Sequence, residues 1–261
     1  MASLKKLPQA KRRDETSLVR RVARDIRTRA LECQVGELVG SEDDLVERFK
    51  VSRPTFRQAA KIVEQEQLLR IKRGVGGGYF ADRPDSAVVS HVTAIYLHTH
   101  QTSLAHIVAA VRPLFVSTAR LAALNLSPEL QEQFEQFAQL ERETITDHMS
   151  TLDFVKSDKS FTLMFAESSG NPLIQLFIDI VLDLASMTSE SVWKGHPDRI
   201  REARELRLRL IHAILLRDVE LSEISAKRLT EQAAAWTLEI NDGQMKVEMP
   251  RTEVVRDIAN V

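Results

Sequence analysis

Residues 72–80 read KRGVGGGYF, a segment in which four glycines fall within five residues, after two cations and before two aromatic residues. A Walker-type phosphate loop would end in Gly-Lys-Ser or Gly-Lys-Thr, and a dinucleotide-binding loop would read G-x-G-x-x-G between a strand and a helix. Neither pattern is present, because Tyr79 stands at the sixth position counted from Gly74. The flanking segments LLRIKRG and GGGYFAD predict instead two short strands that are joined at the glycines as a hairpin.

The residues before this hairpin show the signals of three helices. Apolar residues recur every four positions over 16–33, which predicts a first helix. Ser41 precedes carboxylates by two and three positions and predicts the start of a short second helix. Ser52 predicts the start of a third helix, whose first turn accommodates Pro54 because its early amides have no helical acceptor. Helix, helix-turn-helix and hairpin in this order predict a winged helix-turn-helix domain.

In such a domain the helix that starts at Ser52 is presented to the major groove of DNA, with its N-terminal side chains nearest the base edges. Arginine can bind guanine and glutamine can bind adenine bidentately, whereas hydroxyls, lysines and a glycine-rich backbone suit phosphates. The predicted DNA-binding residues are Ser52, Arg53, Thr55, Arg57, Gln58, Lys61, Lys72, Arg73 and Gly74. Each of them alone could belong to a solvated helix cap, but the basic hairpin that follows favours DNA binding for the set.

The charge of the chain is unevenly distributed. Up to Arg83 there are 19 Lys and Arg against 12 Asp and Glu, and the remainder carries 17 against 25, although the net charge of the whole is −1. A basic segment beside an acidic one indicates a polyanion partner for the front only, while solvated surface charge would give the same tally. The competing hypothesis is a helical protein-interaction module whose basic front binds RNA or a phosphoprotein.

The remainder of the chain is helical by its own periodicity. Apolar stripes at helical spacing run along 87–99, 103–124, 128–146, 151–168, 172–184, 197–217 and 219–240. No strand pattern or internal repeat interrupts them, so a helical bundle is expected. We therefore predict a mostly α protein with a flexible N-terminal arm at 1–15, the winged helix-turn-helix domain at 16–83, an all-α bundle at 84–240 and a C-terminal tail at 241–261.

Several classes of protein are disfavoured by the sequence. No G-x-S-x-G or HExxH motif is present, so we expect no enzymatic activity. The single cysteine, Cys33, cannot form an internal disulfide. The uncharged apolar runs are too short for a membrane span, and the N-terminus lacks the apolar core of a secretory signal. A cytoplasmic protein that does not bind membranes is expected.

The run VGELVGSEDDLVERFKVSRPTFRQAAKIVEQEQLLRIKRGVGGGYFAD resembles the DNA-binding domain of GntR-family bacterial transcription regulators. The helical remainder, with its segment DKSFTLMFAESSGNPL, resembles the FadR-type effector domain, which is also called FCD. This resemblance implies a homodimeric repressor that binds a near-palindromic operator and responds to a small molecule. Asp43 replaces an arginine of the family, and Gln67 replaces a glycine before the first wing strand. We therefore expect an operator that differs from the commonest one of the family.

In many proteins of this family the bundle binds a divalent metal through an aspartate and three histidines. The resemblance places these ligands at Asp158, Thr162, Arg207 and Leu229, so three of the four are replaced. No two of the seven histidines stand four residues apart, the spacing that would put both on one helix face. We expect neither a metal nor another cofactor.

The resemblance also implies an effector site that works with a fixed cation. Arg207 stands where a metal-binding histidine would be, and Arg112 matches an arginine that the family often directs at the ligand. Together with Asp158 and Thr162 they form the predicted effector site. Two cations near one carboxylate would suit an organic acid or the phosphates of an acyl-coenzyme A, since arginine binds both bidentately. The alternative is an Asp158–Arg207 ion pair that only joins two helices.

Overall fold

The chain divides into two units, Met1–Asp85 and Ser86–Val261, in a computed structural model that describes residues 9–143, 150–185 and 189–239 together with Lys246. The predicted tail at 241–261 lies, apart from Lys246, outside the described residues, and so does His148. Of the predicted arm at 1–15, residues 1–8 are not described. The first helix begins at Gln9, before the predicted start at Thr16, because residues 10–15 read AKRRDE and are mostly good helix formers.

The first unit contains three helices and a three-stranded sheet. Its elements are α1 (Gln9–Glu32), β1 (Leu38–Gly40), α2 (Glu42–Phe49), α3 (Arg53–Gln65), β2 (Leu69–Lys72) and β3 (Gly78–Ala81). The strand order is β1-β3-β2, and both pairings are antiparallel. The predicted hairpin is present as β2 and β3, with Lys72 opposite Gly78. Strand β1 was not predicted, because three residues are too few to show an alternating pattern.

A single apolar core holds these elements together. Ile26 of α1, Leu45 of α2 and Phe56 of α3 are almost fully buried in it. The ring of Tyr79 from β3 packs edge-on against Phe56, with the ring centroids 4.9 Å apart. The helix-turn-helix motif is therefore held in place by a core that it shares with α1 and the sheet.

The two predicted helix caps of this unit are present. Ser41 forms a capping box with Asp44, in which the Asp44 amide donates to the serine hydroxyl at 3.2 Å and the Ser41 amide donates to the Asp44 carboxylate at 3.3 Å. Ser52 caps α3 and accepts a hydrogen bond from the Thr55 amide at 3.4 Å. Both caps satisfy amides that a helix start leaves without a helical acceptor.

The second unit is a bundle of helices. Its described helices are α4 (Ser86–Thr99), α5 (Leu104–Asn125), α6 (Pro128–Glu143), α7 (Thr151–Ser168), α8 (Pro172–Ala185), α9 (Ser189–Trp193), α10 (Pro197–Leu215) and α11 (Val219–Leu238). Seven of them lie where the apolar stripes predicted them, and the short α9 was not predicted. In the described part of this unit the only extended pairing is an isolated bridge between Ser103 and Lys246. The predicted fold, a winged helix-turn-helix followed by an all-α bundle, is confirmed.

The bundle is built around α5, α7, α10 and α11. Phe161 and Phe165 of α7 stack with parallel rings, 5.8 Å between centroids, and lie in the same core as Leu210 and Ile214 of α10. Alanines on α5, among them Ala119, allow the neighbouring helices to approach closely. Small residues on α5 thus lie in the same core as large ones on α7 and α10, as dense packing of helices requires.

Among the described residues α5 is long and apolar enough to cross a membrane, judged by length and composition alone. It also carries Arg112, Pro113 and Arg120 within its span. Its inner face, with Ala119 and Ala122, is buried in the core of the bundle.

Candidate functional site

Helix α3 turns one face to the core and presents the opposite face outwards. Phe56, Ala59, Ala60 and Val63 are fully buried on the inner face. The side chains that are exposed on the outer face and at its cap are those of Ser52, Arg53, Arg57, Gln58 and Lys61. The predicted base-reading residues of this helix therefore lie together on one accessible surface.

Thr55 and Lys61, which also belong to the predicted set on α3, contact neighbouring side chains. Thr55 is half-buried, and its hydroxyl lies 2.8 Å from that of Ser52. The ammonium group of Lys61 is 2.7 Å from a carboxylate oxygen of Glu64, one turn further along the helix. Thr55 therefore contributes to the cap at the start of α3. Lys61 extends the basic edge of the surface, with Glu64 as its partner.

The two arginines of α3 are paired with acidic residues at the start of α2. Arg57 donates through Nε and Nη2 to the Glu42 carboxylate, at 3.0 and 2.9 Å. Arg53 Nη2 lies 2.8 Å from Asp43 Oδ1, and its Nη1 lies 3.6 Å from Glu42 Oε1. The Tyr79 hydroxyl also donates to Glu42, at 3.3 Å. Glu42 was not identified from the sequence, because only the packing of α2 against α3 brings it to Arg57.

This arrangement fixes the charge states of the cluster. The hydrogen bond from Arg57 lowers the pKa of the Glu42 carboxyl, against an opposing effect of burial. Burial, with a further contribution from Glu42, raises the pKa of Tyr79 to about 12. At neutral pH Glu42 is therefore a carboxylate, and Tyr79 keeps the proton that it donates to it.

The hairpin between β2 and β3 forms the predicted wing. Lys72, Arg73 and Gly74 are exposed at its tip, and Gly74 has a positive φ of 93°. A Cβ atom on Gly77 would lie 2.4 Å from the carbonyl oxygen of Lys72 and 2.7 Å from that of Gly74. The tight turn therefore requires glycine at position 77 for space and favours glycine at position 74 for conformation.

The second unit contains a cavity of about 200 Å³ between its helices. Most of its wall is formed by aliphatic side chains of α5, α8 and α11, with the indole groups of Trp193 and Trp236 among them. Asp158 and Thr162 of α7 line it as well, and so does Leu229 of α11. Two residues of the predicted effector site are thus brought together in one cavity.

Asp158 faces this cavity with a partly open carboxylate. Its side chain keeps 39% of its surface accessible, while Arg207 beside it keeps 1%. Asp158 lines the cavity and Arg207 does not, so Asp158 is the member of this pair that a molecule in the cavity would contact. Burial raises the pKa of Asp158, Arg207 acts in the opposite direction, and Glu141 adds to the increase.

Arg207 belongs to a buried network behind the cavity wall. Its Nη2 donates to Glu141 Oε2 at 3.1 Å, and its Nη1 lies 3.5 Å from Asp158 Oδ1. Arg204 donates to the same Glu141 oxygen at 3.1 Å, and Ser157 donates to the other at 2.8 Å. The predicted alternative, an ion pair between Asp158 and Arg207, is present, although the closer partner of Arg207 is Glu141.

Aromatic rings enclose the Arg207 guanidinium group. Its central carbon lies 4.9 Å from the centroid of Phe154, 5.6 Å from that of Phe161 and 5.8 Å from that of Phe137. Among the described residues its Nε has no hydrogen-bond partner. Burial lowers the pKa of Arg207, and the two neighbouring carboxylates oppose this effect. The guanidinium is therefore a structural cation, enclosed by rings and two acids.

The predicted net positive charge of the effector site needs correction. Arg112 lies outside the cavity lining, with a side chain that is 55% exposed and an Nη1 that is 2.9 Å from Glu231 Oε1. Arg207 and Arg204 are balanced by Glu141 and Asp158. Glu141 could not be identified from the sequence, because no spacing rule connects α6 with α10.

The residues at the metal-binding positions of the family do not fit a metal. Asp158 is followed at these positions by the hydroxyl of Thr162, the hydrocarbon chain of Leu229 and the cation of Arg207. Within residues 9–143, 150–185 and 189–239, no three His, Cys, Asp or Glu side chains are grouped so that they could hold an ion. The guanidinium beside Asp158 holds the positive charge that an ion would bring.

Comparison with known proteins agrees with both units. The model of the FCD domain matches residues 94–232. The repressor NanR of Salmonella schwarzengrund is 26% identical over 77% of this chain and 76% of its own length, and NanR of Cronobacter sakazakii is 27% identical over 69% and 68%.

Among solved structures, Streptococcus agalactiae GntR has a similar fold, with a TM-score of 0.65 over 83% of this chain and 99% of its own, at 16% identity. The predicted resemblance is confirmed, and the chain belongs to the GntR family of regulators that carry an FCD domain.

Proposed function

We propose that this protein is a transcription regulator, and that the exposed face of α3 binds operator DNA. The observation that carries the proposal is the grouping of Arg53, Arg57 and Gln58 on that face. Arginine and glutamine are the side chains that bind guanine and adenine edges bidentately in the major groove. The wing, with Lys72 and Arg73, supplies contacts to the phosphates.

The regulator acts as a repressor. The relatives from Salmonella and Cronobacter are named as HTH-type transcriptional repressors, which supports this role. A repressor functions in the cytoplasm and needs no catalytic centre, in line with the absence of a catalytic motif in the sequence.

The protein binds DNA as a homodimer on a near-palindromic site. One recognition helix contacts few base pairs, so two that are related by symmetry give useful discrimination. Helices α4 and α8 pack against each other and leave large apolar side chains exposed, namely Val89, Val92 and Tyr96 on α4 and Leu173 and Phe177 on α8. Such exposed apolar groups support a subunit contact at this part of the bundle.

The cavity of the second unit holds the effector that controls DNA binding. Its wall is apolar around a few polar groups, which is the usual composition of a small-molecule site. The predicted effector, an organic acid or an acyl-coenzyme A, would need a cation in the lining, and the described lining residues include no Lys or Arg. The cavity therefore supports a small-molecule effector, but its described lining does not favour an anionic one.

Selection of bound sequences from a random duplex library, followed by footprinting, tests the proposal. We expect protection of two half-sites with inverted symmetry, and affinity that falls as salt rises. Light scattering of wild type and of Val92→Glu measures the oligomeric state, and a dimer that the variant dissociates is expected. Preferential binding to RNA, without a palindromic footprint on DNA, would favour the competing interpretation and contradict ours.

A further inference from the structure

The polar groups of the cavity define what it can bind. Among the residues that the structure describes, its polar, non-aromatic lining residues are Asp158, Thr162, Thr230 and Thr237. The hydroxyl of Thr230 donates to the Ala226 carbonyl at 2.8 Å, and that of Thr237 donates to the Ala233 carbonyl at 2.7 Å. Two of these threonines thus bond to their own helix, and the only ionisable side chain in the described part of the lining is that of Asp158.

The nearest cations are not available to a ligand. Arg207 keeps 1% of its side-chain surface and does not line the cavity, and Arg204 keeps 4%. Both donate to Glu141 at 3.1 Å, and Arg207 reaches Asp158 only at 3.5 Å. The charges of Arg204 and Arg207 are balanced by those of Glu141 and Asp158. Of these four residues only Asp158 lines the cavity, so a molecule in the cavity would contact Asp158 before either guanidinium group.

We propose that the cavity binds an organic cation, a small amine with an apolar body whose ammonium group pairs with Asp158. The aliphatic wall contacts the body, and the lining also contains the indole groups of Trp193 and Trp236, a ring type that attracts cations. A carboxylate ligand would face the Asp158 carboxylate at close range in a site of low polarity. This ligand proposal rests on the proposed function, because it assumes that the cavity is the effector site.

Three probes that share the same ring separate the effect of ligand charge from that of apolar contact. Cyclohexylamine, cyclohexanol and cyclohexanecarboxylate share their apolar body and differ in the polar group alone. Isothermal titration calorimetry of the full-length protein is expected to show the amine binding at least about tenfold more tightly than the other two. Equal affinities for amine and alcohol, or tighter binding of the carboxylate, would overturn the proposal.

Two variants locate the site, and a third serves as a matched control. Asp158→Asn is expected to reduce the affinity for cyclohexylamine to that for cyclohexanol, whereas Glu167→Gln, which removes an exposed charge from the same helix, is expected to leave the order unchanged. Ala234→Leu fills part of the cavity and should weaken all three probes. An amine preference that survives Asp158→Asn, or affinities unchanged by Ala234→Leu, would place binding elsewhere.

Operator affinity is measured separately, with and without cyclohexylamine. This measurement tests the effector role of the cavity independently of the chemical class of its ligand. Amine binding through Asp158 that changes operator affinity supports both. Amine binding that leaves operator affinity unchanged supports the ligand class and contradicts the effector role of the cavity.

Discussion

Arg57 and Glu42 are joined across the helix-turn-helix motif by three hydrogen bonds, from Nε and Nη2 of the guanidinium to the two oxygens of one carboxylate. The arginine that we propose to bind a base edge is therefore held in place without DNA, and part of its charge is neutralised. Arg53 has a similar relationship to Asp43. Asp43, which the resemblance places where the family has an arginine, therefore pairs with a neighbouring arginine.

Replacement of the arginines of α3 should weaken operator binding in a sequence-dependent way. Arg53→Ala or Arg57→Ala is expected to cost about 1–3 kcal/mol at the operator, because a bidentate contact with a base is lost. Arg73→Ala at the wing should weaken operator and random DNA alike. Competition binding assays measure both effects. Arg24→Ala, on the exposed side of α1, is the control, and an unchanged operator affinity in the Arg53/Arg57 double variant would refute the assignment.

Removal of the Glu42 charge should make DNA binding stronger and more sensitive to salt. Glu42→Gln keeps the shape of the side chain but frees the charge of Arg57, so the slope of log K against log salt should steepen by up to about 0.9. Titrations of a random duplex at several salt concentrations measure the slope. Glu47→Gln changes the net charge equally and is exposed on α2. Equal slopes for the two variants would show that Glu42 has no specific effect on Arg57.

The wing should tolerate no side chain at position 77. Gly77→Ala is expected to destabilise the first unit by about 1–3 kcal/mol, because its Cβ atom would overlap the carbonyl oxygen of Lys72. Hydrogen exchange of the amides in β2 and β3 measures the loss. Val75→Ala, at a fully exposed position of the same loop, should have little effect. Similar protection in both variants would mean that the loop relaxes around the added methyl group.

The buried network of the second unit should depend on Glu141. Glu141→Gln leaves Arg204 and Arg207 with less negative charge in a buried site, and we expect a loss of about 3–5 kcal/mol in the free energy of unfolding. Chemical denaturation measures this loss. Glu143→Gln, at an exposed position of the same helix, should change stability by no more than about 0.5 kcal/mol.

Asp158 should make the second unit less stable as the pH rises. Its pKa is raised in the folded state, so the folded chain binds more protons than the unfolded chain between the ordinary pKa of about 3.9 and the raised value. The unfavourable contribution is absent below this window and complete above it. Asp158→Asn removes it, and the stability of the variant relative to wild type should increase with pH across the window. A constant difference, measured by denaturation at several pH values, would contradict the raised pKa.

Much of the fold could be predicted because it is encoded locally. The caps at Ser41 and Ser52 and the apolar stripes of the helices depend on residues three or four positions apart, which a sequence displays directly. Gln67 shows the limit of such rules. It adopts the left-handed conformation, with a φ of 56°, although it is not glycine, and its side chain accepts a hydrogen bond from the Asp85 amide at 3.1 Å.

The chemistry of the effector site could be predicted only in part. Asp158 and Thr162 lie one helical turn apart and were expected to share a face, as they do. The partners of Arg207 and Arg112 come from other helices, namely Glu141 on α6 and Glu231 on α11. Contacts across such distances along the chain are set by tertiary packing, so the charge of the cavity became visible only in the folded molecule.

The two tryptophans of the chain, Trp193 and Trp236, both line the cavity, with ring centroids 5.5 Å apart. All of the intrinsic indole emission of the protein therefore originates at this one place. A molecule that enters the cavity would lie beside both indole groups and should alter their emission. The unlabelled protein thus carries its own optical reporter of cavity occupancy, and its emission spectrum can be followed while the other unit is engaged on DNA.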